Sequence, residues 1–91
     1  MKQVCIQGLG FVGVAMAIAL SNVKTAKGNP KYFVTGVDLP TEQGLKRIDA
    51  VNSGTLPFNT ADQKMVTAFL AAKKAGNLVA TTDESSYELA D

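Results

Sequence analysis

The 91-residue sequence predicts one small α/β domain built on a parallel β-sheet. Three short apolar runs alternate with longer segments of helical pattern. These runs are nearly continuous, as in strands that are covered on both faces. Glycines at positions 8, 10 and 13 follow the first run, and Asp38 directly follows the second. This order predicts parallel strands connected by right-handed helical crossovers.

The three predicted strands are Lys2–Gln7, Tyr32–Val37 and Leu78–Thr81. Between the first two, a helix is expected from Phe11 to about Thr25. Its apolar positions recur at the spacing of a single helical face, which is predicted to pack on the sheet. Those positions are Val12, Ala15, Met16, Ala19, Leu20 and Val23.

Two further helices are expected between the second and third strands. The first of these opens at Pro40 and runs through about Val51, ahead of an Asn-Ser-Gly sequence that ends it. In the next, Thr60 is predicted as the N-cap with Gln63 as its capping-box partner. That helix is expected to end near Ala75, just before a glycine.

The element order predicts a Rossmann-type, doubly wound parallel sheet, of which residues 1–91 form the first half, with strand order 3-2-1. After the third strand, Ser85 or Ser86 is expected to cap one more helical turn, which reaches Leu89. The remainder of the dinucleotide-binding domain and a substrate domain are expected to lie outside this sequence. The strand Lys2–Gln7 then forms a sheet edge with free N–H and C=O groups, so self-association of the chain is expected.

Each glycine of the Gly-Leu-Gly-Phe-Val-Gly loop has a separate predicted role. Gly8 permits a tight turn out of the strand, Gly10 lets a pyrophosphate approach the backbone, and Gly13 lets the helix pack closely on the sheet. The phosphates of a dinucleotide are expected at the N-terminus of the helix, where unpaired N–H groups and the helix dipole favour an anion. Phe11 either lines this loop or has a packing role.

Asp38 is predicted to accept hydrogen bonds from the hydroxyls of the adenine ribose, and its charge to repel the 2′-phosphate of NADP. The alternative is a solvated aspartate in the turn before a helix. Because neither arginine nor lysine occurs at positions 39–43, NAD is the expected cofactor. Lys46 and Arg47, inside the following helix, are interpreted as part of a solvated face.

Composition excludes several other kinds of site. The sequence has no histidine, so it holds neither a His–Cys metal site nor a Ser–His–Asp triad, and no metal is expected. Its net charge is +1 and it has no basic patch, which argues against nucleic acid as a partner. Cys5, the single cysteine, lies within the first strand and is interpreted as a packing residue rather than a reactive thiol.

The N-terminus has an alternative interpretation as a secretory signal, because Lys2 precedes an apolar stretch that contains Ala-Ile-Ala. Gln3 and Gln7 interrupt that pattern, and the glycines have the spacing of a dinucleotide loop. No segment reaches the roughly 18 to 20 continuous apolar residues that span a bilayer. With a lone cysteine in addition, a cytoplasmic location without a membrane partner is expected.

Four motifs in order indicate a particular family. They are the glycine loop, Thr-Gly-Val-Asp at residues 35–38, Asn-Ser-Gly at 52–54 with Pro57, and Ala-Thr-Thr-Asp at 80–83 leading to Leu-Ala-Asp. This pattern resembles the N-terminal, NAD-binding part of the nucleotide-sugar 6-dehydrogenases, which act on UDP-glucose, GDP-mannose and UDP-N-acetylmannosamine. The similarity covers nearly the whole chain.

The resemblance implies an NAD-dependent parent enzyme that oxidises the C6 alcohol of a UDP-sugar to a carboxylate in two hydride transfers. By the family pattern, residues 8–13 hold the pyrophosphate, with a backbone contact from Val12, and Asp38 holds the ribose. The catalytic cysteine of the family lies far downstream. No catalytic residue is therefore expected in this chain, and Cys5 is not the counterpart of that cysteine.

The chain departs from the family pattern at two places. The family often has Glu-Pro-Gly after the proline, where this chain continues from Pro57 with Phe-Asn. Many members also have a basic residue a few positions after the aspartate, where this chain has Glu42 and Gln43. The alternatives are another NAD-dependent Rossmann dehydrogenase, of the hydroxyacyl-CoA or 6-phosphogluconate type, and a non-catalytic nucleotide-binding module.

Overall fold

A computed structural model describes residues 1–90, so Asp91, the last residue of the Leu-Ala-Asp motif, lies outside the described residues. Within residues 1–90 no helix is both long enough and apolar enough to cross a membrane. The elements in chain order are β1 (Lys2–Gln7), α1 (Phe11–Ser21), β2 (Tyr32–Val37), α2 (Glu42–Ser53), α3 (Gln63–Ala75), β3 (Leu78–Thr81) and a 3₁₀ helix (Glu84–Leu89).

The three strands form one parallel sheet with β2 in the centre, which confirms the predicted first half of a doubly wound fold. The register aligns Val4 with Val34, and Val34 with Leu78, so that apolar side chains form a row across the sheet. Helices α1 and α3 contact each other and the strands, α2 contacts β3, and the core lies between these helices and the sheet. Its buried members are Ile6, Leu9, Val14, Ala17, Ile18, Val34, Val51, Phe69, Ala72, Leu78 and Ala80.

The predicted buried face of α1 is wrong. Val12 and Met16, which belong to the predicted stripe, are 73% and 52% exposed. The helix instead buries a neighbouring face, made of Val14, Ala17, Ile18 and Ser21. Residues 11–20 are apolar or small on every side of the helix, so their spacing does not select one face. The close contact of Gly13 with Gly8 and Ile6 determines which face of α1 is buried.

Helix α1 also ends at Ser21, four residues before the predicted end near Thr25. The side-chain amide of Asn22 donates hydrogen bonds to the carbonyl oxygens of Ile18 and Ala68, at 2.9 and 3.0 Å. The first bond caps the last turn of α1 and the second ties it to α3. The chain then turns through residues 24–30 before it enters β2.

Two helix caps differ from the predicted ones. Asp62, not Thr60, is the N-cap of α3, and its carboxylate accepts two backbone N–H groups of the first turn at 3.0 and 3.2 Å. Asp83, rather than Ser85 or Ser86, caps the 3₁₀ helix, and its carboxylate accepts the backbone N–H of Ser85 at 2.9 Å. Hydrogen bonds from the side chain and backbone of Ser85 hold the pKa of this carboxyl below the usual range. In both cases a carboxylate is favoured because its negative charge interacts with the positive end of the helix dipole.

Asn52 closes the sheet at its β3 edge. Its side-chain oxygen accepts a hydrogen bond from the N–H of Ala80, and its side-chain nitrogen donates to the carbonyl of Ala80, both at 2.9 Å. The amide therefore makes the two bonds that a neighbouring strand would make. Helix α2 continues through Ser53, two residues beyond the predicted end, so Asn52 lies in its last turn.

At the opposite edge, β1 has no second strand beside it within residues 1–90. The N–H groups of Lys2 and Gly8 donate to carbonyls next to or in β2, so every second residue of β1 faces that strand. The N–H and C=O groups of Cys5 consequently point away from β2. Its half-buried thiol has a pKa raised by desolvation, which fits a packing residue.

We expect Asn52→Ala to lower the free energy of unfolding by about 1 to 3 kcal/mol, because the buried N–H and C=O groups of Ala80 lose their partners. Urea denaturation followed by circular dichroism measures the change. Ser53→Ala is the matched control, since it removes only an exposed hydroxyl that donates to Ala50, and it should shift stability by less than about 0.5 kcal/mol. Equal unfolding midpoints for the two variants would contradict the edge-closing role of Asn52.

Candidate cofactor site

The turn between β1 and α1 is held firmly against β2. Gly8 has a φ of 85°, a left-handed conformation that favours glycine, and its N–H donates to the carbonyl of Val37 at 2.7 Å. The side chain of Leu9 is 1% exposed and lies against Gly36 in β2. Backbone and side-chain contacts together fix the loop where it leaves the sheet.

Gly13 brings the first turn of α1 close to this loop. A Cβ atom at position 13 would overlap the carbonyl oxygen of Gly8, and it would also lie 3.6 Å from the side chain of Ile6. This is the close approach for which glycine was expected at this position. The N-terminus of α1 is thereby pressed onto the carboxyl end of β1.

The N-terminus of α1 is open towards solvent. Gly10 is the N-cap, no side chain caps the first turn, and that turn contains no acidic residue. A Cβ atom built on Gly10 has no heavy atom within 4 Å, so the space beside the first-turn N–H groups is free. This arrangement has the positive potential and the room that a phosphate needs.

The Asp38 carboxylate lies directly beside the glycine loop. Its Oδ2 atom accepts a hydrogen bond from the N–H of Leu9 at 2.9 Å, and its Oδ1 atom accepts from the N–H of Leu39 at 2.7 Å. The backbone N–H of Asp38 donates to the carbonyl of Thr81 at 3.2 Å. The structure thus places the predicted ribose-binding residue and the predicted phosphate-binding loop in direct contact.

The interpretation of Arg47 as a solvated residue is wrong. Its Nη1 atom lies 3.5 Å from Oδ2 of Asp38, and the two side chains are 32% and 9% exposed. The basic residue that the sequence lacks at positions 39–43 is therefore supplied one helical turn after Gln43. Arg47 lies four residues after Gln43, so the two residues share one face of α2.

A cavity of about 230 Å³ adjoins Asp38 at the carboxyl ends of β1 and β2. Tyr87, from the 3₁₀ helix, lines this cavity opposite the loop and was not singled out from the sequence. Desolvation raises the pKa of its phenol, and the charges of Cys5, Glu84 and Asp38, in decreasing order, raise it further. The cavity is lined by Gln7, Gly8, Val37, Asp38, Leu39, Glu84 and Tyr87.

The remaining two predicted site residues lie in the first turn of α1. The side chain of Val12 is exposed, and its backbone N–H lies in the first turn of α1, where the predicted backbone contact would be made. The ring of Phe11 is largely exposed and packs on the ring of Phe58, with centroids 5.0 Å apart and planes at 51°. Phe11 therefore contacts the connection between α2 and α3, and its side chain has a packing partner of its own.

Comparison with solved structures finds dehydrogenases of nucleotide sugars. A ternary complex of the GDP-mannose dehydrogenase of Pseudomonas aeruginosa matches 100% of this chain, with a TM-score of 0.70 and 28% sequence identity. An NDP-N-acetyl-D-galactosaminuronic acid dehydrogenase of Methanosarcina mazei also matches 100% of the chain, with a TM-score of 0.85 and 21% identity. A UDP-glucose dehydrogenase of Pyrobaculum islandicum matches 98%, with a TM-score of 0.67 and 22% identity.

These neighbours confirm the resemblance that the sequence motifs indicated, and they share the half-Rossmann fold over the whole chain. The chain spans 18%, 18% and 17% of their respective lengths. No protein-family model matches the chain, and neither does a curated protein. The structural match shows the fold, which this chain shares with part of each of these dehydrogenases.

We expect serine to have opposite effects at the two glycines of the helix start. Gly13→Ser should lower the free energy of unfolding by about 1 to 3 kcal/mol, because its Cβ overlaps the Gly8 carbonyl. Gly10→Ser should leave stability unchanged or raise it by about 0.5 kcal/mol, since the open N-cap position accepts a capping hydroxyl. Thermal and urea unfolding test both variants, and a destabilised Gly10→Ser protein would contradict the open geometry.

Proposed function

We propose that this chain is the N-terminal half of the NAD-binding domain of a nucleotide-sugar dehydrogenase, and that it binds the adenosine and pyrophosphate of NAD. In the full-length parent, the activity would be oxidation of the C6 alcohol of a UDP-sugar to a carboxylate with two NAD. The observation that carries the proposal is the 2.9 Å hydrogen bond from Leu9 to Asp38, which makes the loop and the carboxylate one unit. The match of this chain to 18% of a GDP-mannose dehydrogenase, at 28% identity, supports the same class.

The residues present fit the proposed ligand. The open first turn of α1 suits the pyrophosphate, because it offers N–H donors without a competing side chain. A carboxylate has about four acceptor positions, and Asp38 uses one on Oδ1 and two on Oδ2 for Leu39, Leu9 and Arg47. One acceptor position on Oδ1 remains for a ribose hydroxyl.

The role of this chain is to bind and orient. When bound, NAD supplies the hydride acceptor of the reaction. Asp38 would hold the ribose and α1 the pyrophosphate, which fixes the adenosine half at the carboxyl edge of the sheet. The nicotinamide pocket, the nucleotide-sugar site and the catalytic residues are proposed to belong to further parts of the parent protein.

We expect ADP-ribose to bind the chain about as tightly as NAD, within about threefold, at roughly millimolar Kd. Nicotinamide mononucleotide, which lacks the adenosine, should not bind. Amide shifts in a ¹H–¹⁵N titration measure both, and the shifts should centre on residues 8–14. Gly10→Ser should weaken ADP-ribose at least about tenfold, because the new side chain occupies the phosphate position.

The control for this titration is Ala71→Ser, at an exposed position of α3 away from the loop, which should bind like the unmodified chain. Equal binding of nicotinamide mononucleotide and ADP-ribose would contradict the assignment of the adenosine half. Formation of NADH from UDP-glucose by the purified chain would also contradict the proposal, since the chain is proposed to lack the catalytic residues.

The same proposal includes self-association of this chain through the edge of β1. Sedimentation equilibrium at micromolar concentration should show a dimer. Cys5→Pro should shift it to monomer, because proline removes an N–H that points away from β2 without breaking a bond to β2. Cys5→Ser is the control, since it keeps that N–H and prevents a disulfide. A monomeric Cys5→Ser protein would show that the edge does not mediate association.

A further inference from the structure

We infer that Arg47 is a specificity-determining residue of this site. With Arg47 present, the site binds an adenine ribose that carries a 2′-phosphate more tightly than it would with Asp38 alone. The inference rests on the proposed function, because it concerns the same adenosine site. NAD remains the preferred cofactor, but the Asp38–Arg47 pair makes the difference in affinity between NAD and NADP smaller.

The first argument is the charge at the ribose position. Asp38 discriminates against a 2′-phosphate through its negative charge, and its side chain is only 9% exposed, so solvent screens that charge poorly. The guanidinium of Arg47 lies 3.5 Å from Oδ2 and offsets the charge at close range. A phosphate that approaches Asp38 therefore meets a pair that is nearly neutral.

The second argument is the donor capacity of Arg47. A guanidinium has five N–H donors arranged as a planar fork, and it binds phosphate oxygens in pairs. The recorded contact with Asp38 involves Nη1 at an ion-pair distance, not a close bidentate geometry. Arg47 also lines an open depression of about 480 Å³ between α2 and residues 56–59, so its side chain has room beside the carboxylate.

The neighbouring lysine provides an internal contrast. Lys46 has the same charge on the same helix, but its side chain is 76% exposed and pairs with Glu42 at 3.5 Å. Both residues line the depression beside α2, but the ion pair with Asp38 is made by Arg47. If discrimination depended on the overall charge of α2, the two residues would be equivalent, whereas direct contact with Asp38 singles out Arg47.

The experiment compares two ligands that differ only in the 2′-phosphate, 5′-AMP and adenosine 2′,5′-bisphosphate. Each is titrated into the chain and its variants at one fixed salt concentration, and Kd is obtained from amide shifts. Arg47→Gln should weaken the bisphosphate relative to 5′-AMP by about fivefold, the upper range for a partly exposed ion pair. Lys46→Gln should change that ratio by less than about twofold.

A second variant tests the same coupling from the other side. Asp38→Asn removes the repelling charge while Arg47 remains, so the bisphosphate should gain on 5′-AMP by about fivefold or more. Arg47→Gln added to Asp38→Asn should remove most of that gain. If Asp38→Asn does not give a folded spectrum, the comparison of Arg47→Gln with Lys46→Gln is sufficient by itself.

The outcomes separate this inference from the proposed function. Binding of 5′-AMP with equal changes in ratio for Arg47→Gln and Lys46→Gln would overturn the role of Arg47 and leave the nucleotide site intact. An unchanged ratio in Arg47→Gln would do the same. The absence of shifts with 5′-AMP and with ADP-ribose in the unmodified chain would overturn the proposed function, and the inference would fall with it.

Discussion

The hydrogen bond from the Leu9 N–H to the Asp38 carboxylate is the contact on which the geometry of the site depends. Through it, the turn after β1 is tied to the end of β2, and the backbone N–H of Asp38 extends the connection to β3. Arg47 brings α2 to the same carboxylate. Four segments of the chain therefore meet at one nearly buried anion, which is stabilised by several donors.

The Asp38 carboxylate oxygens have two uses, because contacts within the protein and the proposed ligand both need them. The fold uses Oδ2 for Leu9 and Arg47 and one position on Oδ1 for Leu39, so a hydroxyl of the proposed nucleotide would have the remaining position on Oδ1. The carboxylate is therefore preorganised for the proposed ribose, because contacts within the protein already fix its rotamer. The cost is a smaller number of hydrogen bonds to the ligand than a free aspartate would offer.

The strands could be predicted from the sequence because local composition determines them. The apolar runs at β1, β2 and β3 coincide with the strands of the structure, and the parallel order followed from the crossover rule. The buried face of α1 could not be predicted, because a helix that is apolar on all sides is oriented only by its tertiary contacts, here Gly13 on the loop. Spacing singles out Asp38 and the glycines, whereas Arg47 lies one helical turn beyond positions 39–43, where many members of the family have a basic residue.

Asparagine side chains were the other feature that sequence patterns did not resolve. Asn22 and Asn77 bond to backbone carbonyls of distant segments, and Asn77 is buried while it donates to Ser21 and Tyr32 at 2.8 and 3.0 Å. An asparagine in a turn or at a helix end has a local explanation, so nothing in its neighbourhood along the chain reveals a long-range partner. These amides supply tertiary hydrogen bonds where the backbone leaves its regular elements.

The Asn52 amide also determines at which edge the sheet can be extended by a further strand. Because it occupies the backbone groups of Ala80, an additional strand, whether from the same polypeptide or from another molecule, would pair at the opposite edge, with β1. The β3 edge of the sheet is thus blocked by Asn52, and the sheet can be extended at the β1 edge. Every strand added at β1 would move the glycine loop from the edge of the sheet towards its middle, where segments on both sides could enclose the proposed nucleotide.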